Sequence, residues 1–99
     1  MEINKELNGQ TLVLSLSGRL DAVTAGDLEK VINTSLDDVK ELIFDLKDLS
    51  YIASAGLRTL LVAQKRMKKQ GDMRLRNVRD EVREVLDMTG FIDFLQIEE

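Results

Sequence analysis

Asp48-Leu49-Ser50-Tyr51-Ile52-Ala53-Ser54-Ala55-Gly56-Leu57-Arg58 is the stretch on which the reading of this chain turns. An apolar run, Leu42-Ile43-Phe44-Asp45-Leu46, precedes it and has the composition of a buried strand. An amphipathic run from Leu57 to Lys69 follows it and has the spacing of a helix. Ser54 falls where such a helix wants an N-cap, and its hydroxyl can accept a backbone N–H from the first turn. Unpaired N–H groups and the positive end of the helix dipole converge on the same spot, so the spot also suits an anion. A phosphate on Ser54 is therefore compatible with the helix it would precede.

On the N-terminal side, residues 2–8 form a candidate strand, and Asn8-Gly9 is a hairpin turn signal. Thr11 to Ser17 alternates Leu12, Leu14 and Leu16 against Val13, Ser15 and Ser17, the period of a strand with one face more buried. Gly18-Arg19-Leu20-Asp21 ends it. Thr24 stands as an N-cap with Asp27 three residues on, and Leu28, Val31, Ile32 and Leu36 share one helical face. The consecutive apolar residues within 41–46 predict a central strand covered on both sides.

On the C-terminal side, the spacing predicts a helix from Ala55 to about Gln70, with Leu57, Leu60, Leu61 and Gln64 or Met67 inward and Gly71 after its end. Asp72 to Arg76 reads as an edge strand guarded by Arg74 and Arg76. Asn77 or Asp80 caps a third helix with Val78, Val82, Val85 and Leu86 inward, and Gly90 stops it. Phe91 to Leu95 reads as a helical turn, and 96–98 as strand or tail. Two strands followed by alternating helices and strands predict an α/β fold, one mixed β-sheet of four to five strands packed with three to four α-helices.

Composition narrows the chemistry. Ninety-nine residues, 43 % hydrophobic and 32 % charged, read as one domain over residues 1–99. With no cysteine, disulfides, thiolate metal sites and cysteine nucleophiles are excluded. With no histidine, the commonest general base and the Ser-His pair are excluded too. Carboxylates are numerous but scattered, with no spacing of a catalytic pair or metal loop, so no catalytic residue, metal site or cofactor is expected. A net charge of -4 opposes a nucleic-acid partner, and one Tyr with three Phe make a poor stacking platform for single strands. No apolar run approaches the roughly 20 residues of a membrane span. The polar start Met1-Glu2-Ile3-Asn4-Lys5-Glu6 lacks the apolar core of a signal peptide. A cytoplasmic protein, free of the membrane, is the expectation.

The run Asp48 to Leu57 resembles the STAS domain family, and within it the bacterial anti-sigma factor antagonists. Gly18-Arg19-Leu20-Asp21 is similar to that family's turn before its first helix. Leu42 to Leu46 resembles the strand before its loop, and Val82 to Phe91 its third helix and following turn. The resemblance implies a single STAS domain acting as a partner-switching regulator and not as an enzyme. It implies that Ser54 is phosphorylated by an anti-sigma factor that is itself a serine kinase. The unphosphorylated form would bind that anti-sigma factor and free a sigma factor, and a serine phosphatase would reset the switch. It places the partner-binding surface at Asp21, Thr24, Ala53, Ala55, Gly56 and Arg58. Many antagonists have Asp before the serine; this chain has Ala53. Read from the residues alone, Ser54 is an unmodified cap, Asp21 a turn acid, and the basic helix surface a solvated face except for Arg58. Gly56 weakens its helix relative to Ala, which fits a partner's backbone approaching there. The alternative within the family is an unphosphorylated adaptor subunit, as in a lipid-transport complex.

Overall fold

In the computed structural model, which describes residues 1–98, the chain begins with a hairpin. Strands β1 (Glu2–Asn8) and β2 (Thr11–Leu20) pair antiparallel from Glu2↔Ser17 to Asn8↔Thr11. Their two-residue loop is Gly9-Gln10, one position later than the Asn-Gly pair suggests. Gly9 takes the positive φ of 61° that the first loop position requires. Helix α1 (Ala25–Ser35) then leads to β3 (Glu41–Ile52), α2 (Ser54–Lys68), β4 (Asp72–Arg76), α3 (Asp80–Thr89) and a 3-10 turn at Phe91–Asp93. The sheet order is β1-β2-β3-β4, with β2, β3 and β4 mutually parallel. One mixed sheet with three helices is the architecture expected, and 42–46 is central in it.

A single apolar cluster holds the layers together. Leu12, Leu14 and Leu16 of β2 and Leu42, Phe44 and Leu46 of β3 meet Leu28 and Ile32 of α1, Leu57, Leu60, Ala63 and Met67 of α2, and Val82 and Leu86 of α3. Each helix spaces these residues three or four apart, so one stripe faces the sheet. The opposite sheet face is not covered as expected. Asp45 is half-buried and Lys47 exposed there, and Ile43 is buried outside the helix-facing cluster. Period two in β3 therefore records one wet face and one dry face, as in β2.

The larger departure is the length of β3. It runs six residues past Leu46, to Ile52. Two bulges hide this in the sequence. Ser15 pairs with Asp45 but Ser17 with Asp48, and Gly18 pairs with Leu49 but Arg19 with Tyr51, so β3 carries an extra residue in each interval. The extra residues bring Leu49 and Ile52 back onto the dry face at a spacing of three, which alternation cannot detect. Gly18, at φ 98°, accompanies the second bulge on the facing strand.

The ends of the other elements follow local chemistry. Gly90 closes α3 in the left-handed region at φ 78°, as expected for a stop. The residue before α3 is Arg79, and neither Asn77 nor Asp80 caps it; no side chain does. The Leu75 N–H donates to the Gln96 carbonyl and the Glu98 N–H to the Leu75 carbonyl, so 96–98 lines the outer edge of β4 through a bridge at Ile97.

Gly71 is required by a close approach and not by a positive φ. The Asp72 N–H donates to the Lys40 carbonyl at 2.9 Å, and a Cβ on Gly71 would fall on that carbonyl group. Gly71→Ala should therefore lower stability by about 1–3 kcal/mol through forced backbone shifts. Gly26→Ala meets nothing within 4 Å in the first turn of α1 and should raise stability by up to about 1 kcal/mol. Urea melts of the two variants check the pair; equal midpoints would refute the crowding at Lys40.

Candidate functional site

Parallel strands β2 and β3 leave the sheet side by side, each into the start of a helix. Leu20 pairs with Ile52, and the Ala53 N–H donates to the Leu20 carbonyl at 2.9 Å. The carboxyl ends of parallel strands are where α/β sheets hold what they bind, because loops and helix starts converge there.

On the β2 side, Asp21 and Thr24 cap each other's backbone. The Asp21 Oδ1 accepts from the Val23 and Thr24 N–H groups, both at 3.0 Å. The Thr24 hydroxyl accepts from the Asp21 N–H at 2.9 Å and donates to the Arg19 carbonyl at 2.8 Å. This is the reciprocal logic of a capping box, with Asp21 as the capping residue. Thr24, expected in that role, has near-helical dihedrals (φ -79°, ψ -18°) and makes no cap bond of its own to α1. The Thr24 N–H, followed by its hydroxyl, the Val23 N–H and the charge on Arg19, holds the Asp21 carboxyl below its ordinary pKa despite some opposing desolvation. Asp21 is thus a fixed anion, already engaged with its own loop.

The β3 side is different. Because β3 extends to Ile52, only Ala53 separates it from α2, and Ala53 takes the N-cap position in an extended conformation (φ -101°, ψ 171°). Ser54 is not the cap. It is the first residue of α2, exposed, with its hydroxyl in no hydrogen bond among the described residues. Ala53 offers no side-chain acceptor and the first turn of α2 holds no acid, so the dipole there is uncompensated from within.

Gly56 has an internal reason to be glycine. It is buried, and a Cβ there would lie 2.6 Å from Leu20 Cγ and 3.1 Å from Ile52 Cγ1. The approach that needs the glycine comes from this chain's own strand ends, which replaces the partner approach expected from sequence. Ala55 is half-buried and Arg58 exposed. These two line a shallow groove between α1 and α2 with Ala22, Gly26 and Thr59, and Val62 on its rim is half exposed. Val23, 83 % exposed, lies in the turn that leads into α1. The expected residues Asp21, Thr24, Ala53, Ser54, Ala55, Gly56 and Arg58 therefore gather at one end of the molecule, although Gly56 presents no exposed surface.

Two residues of this end carry no sequence signal of their own. The Arg19 guanidinium lies over the Tyr51 ring, 4.1 Å from its centroid. They are register partners across β2 and β3 only because of the second bulge. Among the described residues no three metal-ligating side chains come together, and no helix is long and apolar enough to cross a membrane.

Comparison with known proteins agrees with this geometry. The STAS domain family matches residues 2–99. BtrV of Bordetella bronchiseptica, named as a candidate anti-sigma factor antagonist, is 32 % identical over 88 residues, which cover 87 % of this chain and 76 % of BtrV. The anti-sigma-B factor antagonist of Bacillus subtilis is 29 % identical over 98 % of this chain and 92 % of its own length. The crystal structure of an anti-sigma factor antagonist from Mycobacterium paratuberculosis superposes with a TM-score of 0.87, at 25 % identity, over 97 % of this chain and 83 % of that one. With the family pattern spanning almost every residue and the fold superposing over nearly the whole chain, the chain belongs to the STAS domain family.

Proposed function

We propose that this protein is an anti-sigma factor antagonist switched by phosphorylation of Ser54. The observation that carries the reading is Ser54 itself: exposed, on the first residue of α2, and with its hydroxyl in no hydrogen bond among the described residues. In its unphosphorylated form the protein binds an anti-sigma factor of the serine-kinase type and so releases a sigma factor. The surface it offers is the end of the sheet bearing Asp21, Thr24, Ala53, Ala55 and Arg58, with Gly56 setting the depth of α2 beneath. The kinase transfers the γ-phosphoryl group of ATP to the Ser54 oxygen, the hydroxyl proton leaves to a base or water on the kinase side, and ADP is released. A serine phosphatase removes the phosphate. The protein is the substrate of this chemistry and not its catalyst, and it works in the cytoplasm. Relatives named as antagonists over most of their length support the reading, as does the lack of any histidine or cysteine in the chain.

The energetics suit a switch that leaves the fold alone. A phosphoserine adds a charge of roughly -1.5 to -2 at neutral pH. At the uncompensated start of α2 that charge gains about 0.3–1 kcal/mol from the dipole. The partner sees the opposite effect, because a surface shaped for a neutral hydroxyl must now accommodate or desolvate a dianion. A loss of about 3 kcal/mol at the interface weakens binding more than a hundredfold.

Two experiments follow. Since the Ser54 hydroxyl caps nothing, Ser54→Ala should change stability by no more than about 0.5 kcal/mol, as for a surface position, and Ser54→Asp should be neutral or slightly stabilising. Urea melts decide this; a cost of about 1 kcal/mol or more for alanine would restore a capping role to the hydroxyl. In the second, the host's kinase-type anti-sigma factor and ATP are added, the phosphate is located by mass spectrometry, and partner affinity is measured for each form. Ser54→Ala should bind as the wild type does and take no phosphate, while Ser54→Asp and the phosphoprotein should bind poorly. A phosphate on another residue, or tight binding by Ser54→Asp, would end the switch reading.

A further inference from the structure

The arginines of this chain are not alike. Arg66 pairs with Asp37, Arg74 with Glu41, Arg76 with Glu98 and Arg79 with Glu81. Arg19 is exposed and forms neither an ion pair nor a side-chain hydrogen bond among the described residues. Asp21, whose carboxyl pKa is lowered first by the Thr24 N–H and in part by the Arg19 charge, spends Oδ1 on the Val23 and Thr24 N–H groups. Yet Arg19 is not loose. Its guanidinium lies over the face of Tyr51, which is itself 40 % exposed. Stacking uses the face of the guanidinium, whereas all its N–H donors lie in its plane. Seated over the ring and unpaired among the described residues, Arg19 keeps its planar fork of donors available.

The position of this fork matters. Arg19↔Tyr51 is the register pair next to Leu20↔Ile52, and the Ala53 N–H closes onto the Leu20 carbonyl immediately beyond. Arg19 and Ser54 thus flank the same last strand pair, so a macromolecule docked at that end of the sheet can meet both. We propose that Arg19, held over Tyr51, receives a carboxylate of the protein that docks at Ser54 and fixes that partner's register. The proposal rests on the partner-switching reading above, and adds to it the chemistry of one contact. The occupant is a carboxylate on a protein and not a nucleic-acid phosphate, because a chain of net charge -4 repels a polyanion but can admit one acidic side chain at an isolated cation. A bidentate fork over a rigid aromatic base is the arrangement that recognises a planar carboxylate best, and arginine and tyrosine are favoured at the centres of protein interfaces. Holding the fork in place beforehand reduces the ordering cost of binding.

The test measures affinity for the purified anti-sigma factor of the same host, at low and high salt, for wild type, Arg19→Ala, Arg19→Lys, Tyr51→Leu and Ser54→Asp. Urea melts establish that each variant is folded. Arg19→Ala should bind roughly 10- to 100-fold more weakly, and its affinity should depend less on salt than that of the wild type. Arg19→Lys should recover only part of the loss, since an ammonium keeps the charge but not the fork. Tyr51→Leu should lose affinity with Arg19 still present. If Arg19→Ala binds as the wild type does while Ser54→Asp does not, the carboxylate contact is wrong and the switch stands. A loss in Arg19→Ala with an unchanged salt dependence would assign Arg19 a purely steric role and also overturn it. If the wild type fails to bind this partner at all, both readings fall together.

Discussion

The approach of Gly56 to Leu20 and Ile52 decides how α2 and Ser54 sit at this end of the sheet. Leu20 and Ile52 are the last register pair of β2 and β3, and both are buried. A side chain at position 56 would push α2 away from them, and with it the residues before it. With glycine there, α2 starts one residue after the strand and its first turn rests on the sheet. Ala53 bonds to Leu20 instead of turning outward, and Ser54 is left on the surface at a fixed distance from α1. Packing inside the domain thus sets the exposure of a hydroxyl outside it.

The one-sided sheet makes this end separable from the rest. All three helices contribute to a single cluster on the face of Leu14, Phe44 and Leu46, and that cluster does not include Ser54. A change of charge on Ser54 therefore desolvates nothing in the core and breaks no internal hydrogen bond. A protein whose binding must be reversed without being unfolded needs its modifiable group placed in this way, since total stability is only about 5–15 kcal/mol for such a domain.

The sequence revealed the element order, the central position of 42–46 and most of the core, because those depend on periods that sequence displays. Leu12, Leu14 and Leu16 alternate, and Leu57, Leu60 and Met67 fall on one helical stripe. The residues expected at the site share one end of the sheet, but their geometry was not legible in the sequence. Two bulges carry β3 on to Ile52 with buried residues three apart, a spacing that reads as a loop when the partner strand is unseen. That shift of boundary removed Ser54 from the cap. It also concealed Arg19 and Tyr51, which are 32 positions apart in sequence and meet only in the shifted register. At Gly56 a local rule reads only a weakened helix, whereas the contact that calls for glycine is with Leu20, a long-range neighbour that no local rule supplies.

The two helix starts at this end are electrically unequal, and the inequality gives an added charge one place to settle. The approach to α1 is already supplied with an anion: Asp21 accepts from the Val23 and Thr24 N–H groups in the turn that leads into the helix, with its carboxyl pKa depressed chiefly by the Thr24 N–H. A group depressed in the folded state stabilises it above the unfolded value, here 3.8, and that contribution is lost only as pH falls through the lower folded value. At neutral pH the α1 cap is therefore constant. α2 has no side-chain cap and no acid in its first turn. The chain also lacks histidine, the side chain whose ordinary pKa would let acidity change the charge near neutrality. Near neutral pH, then, no imidazole changes the charge at the start of α2, where Ser54 stands exposed on the first helical residue.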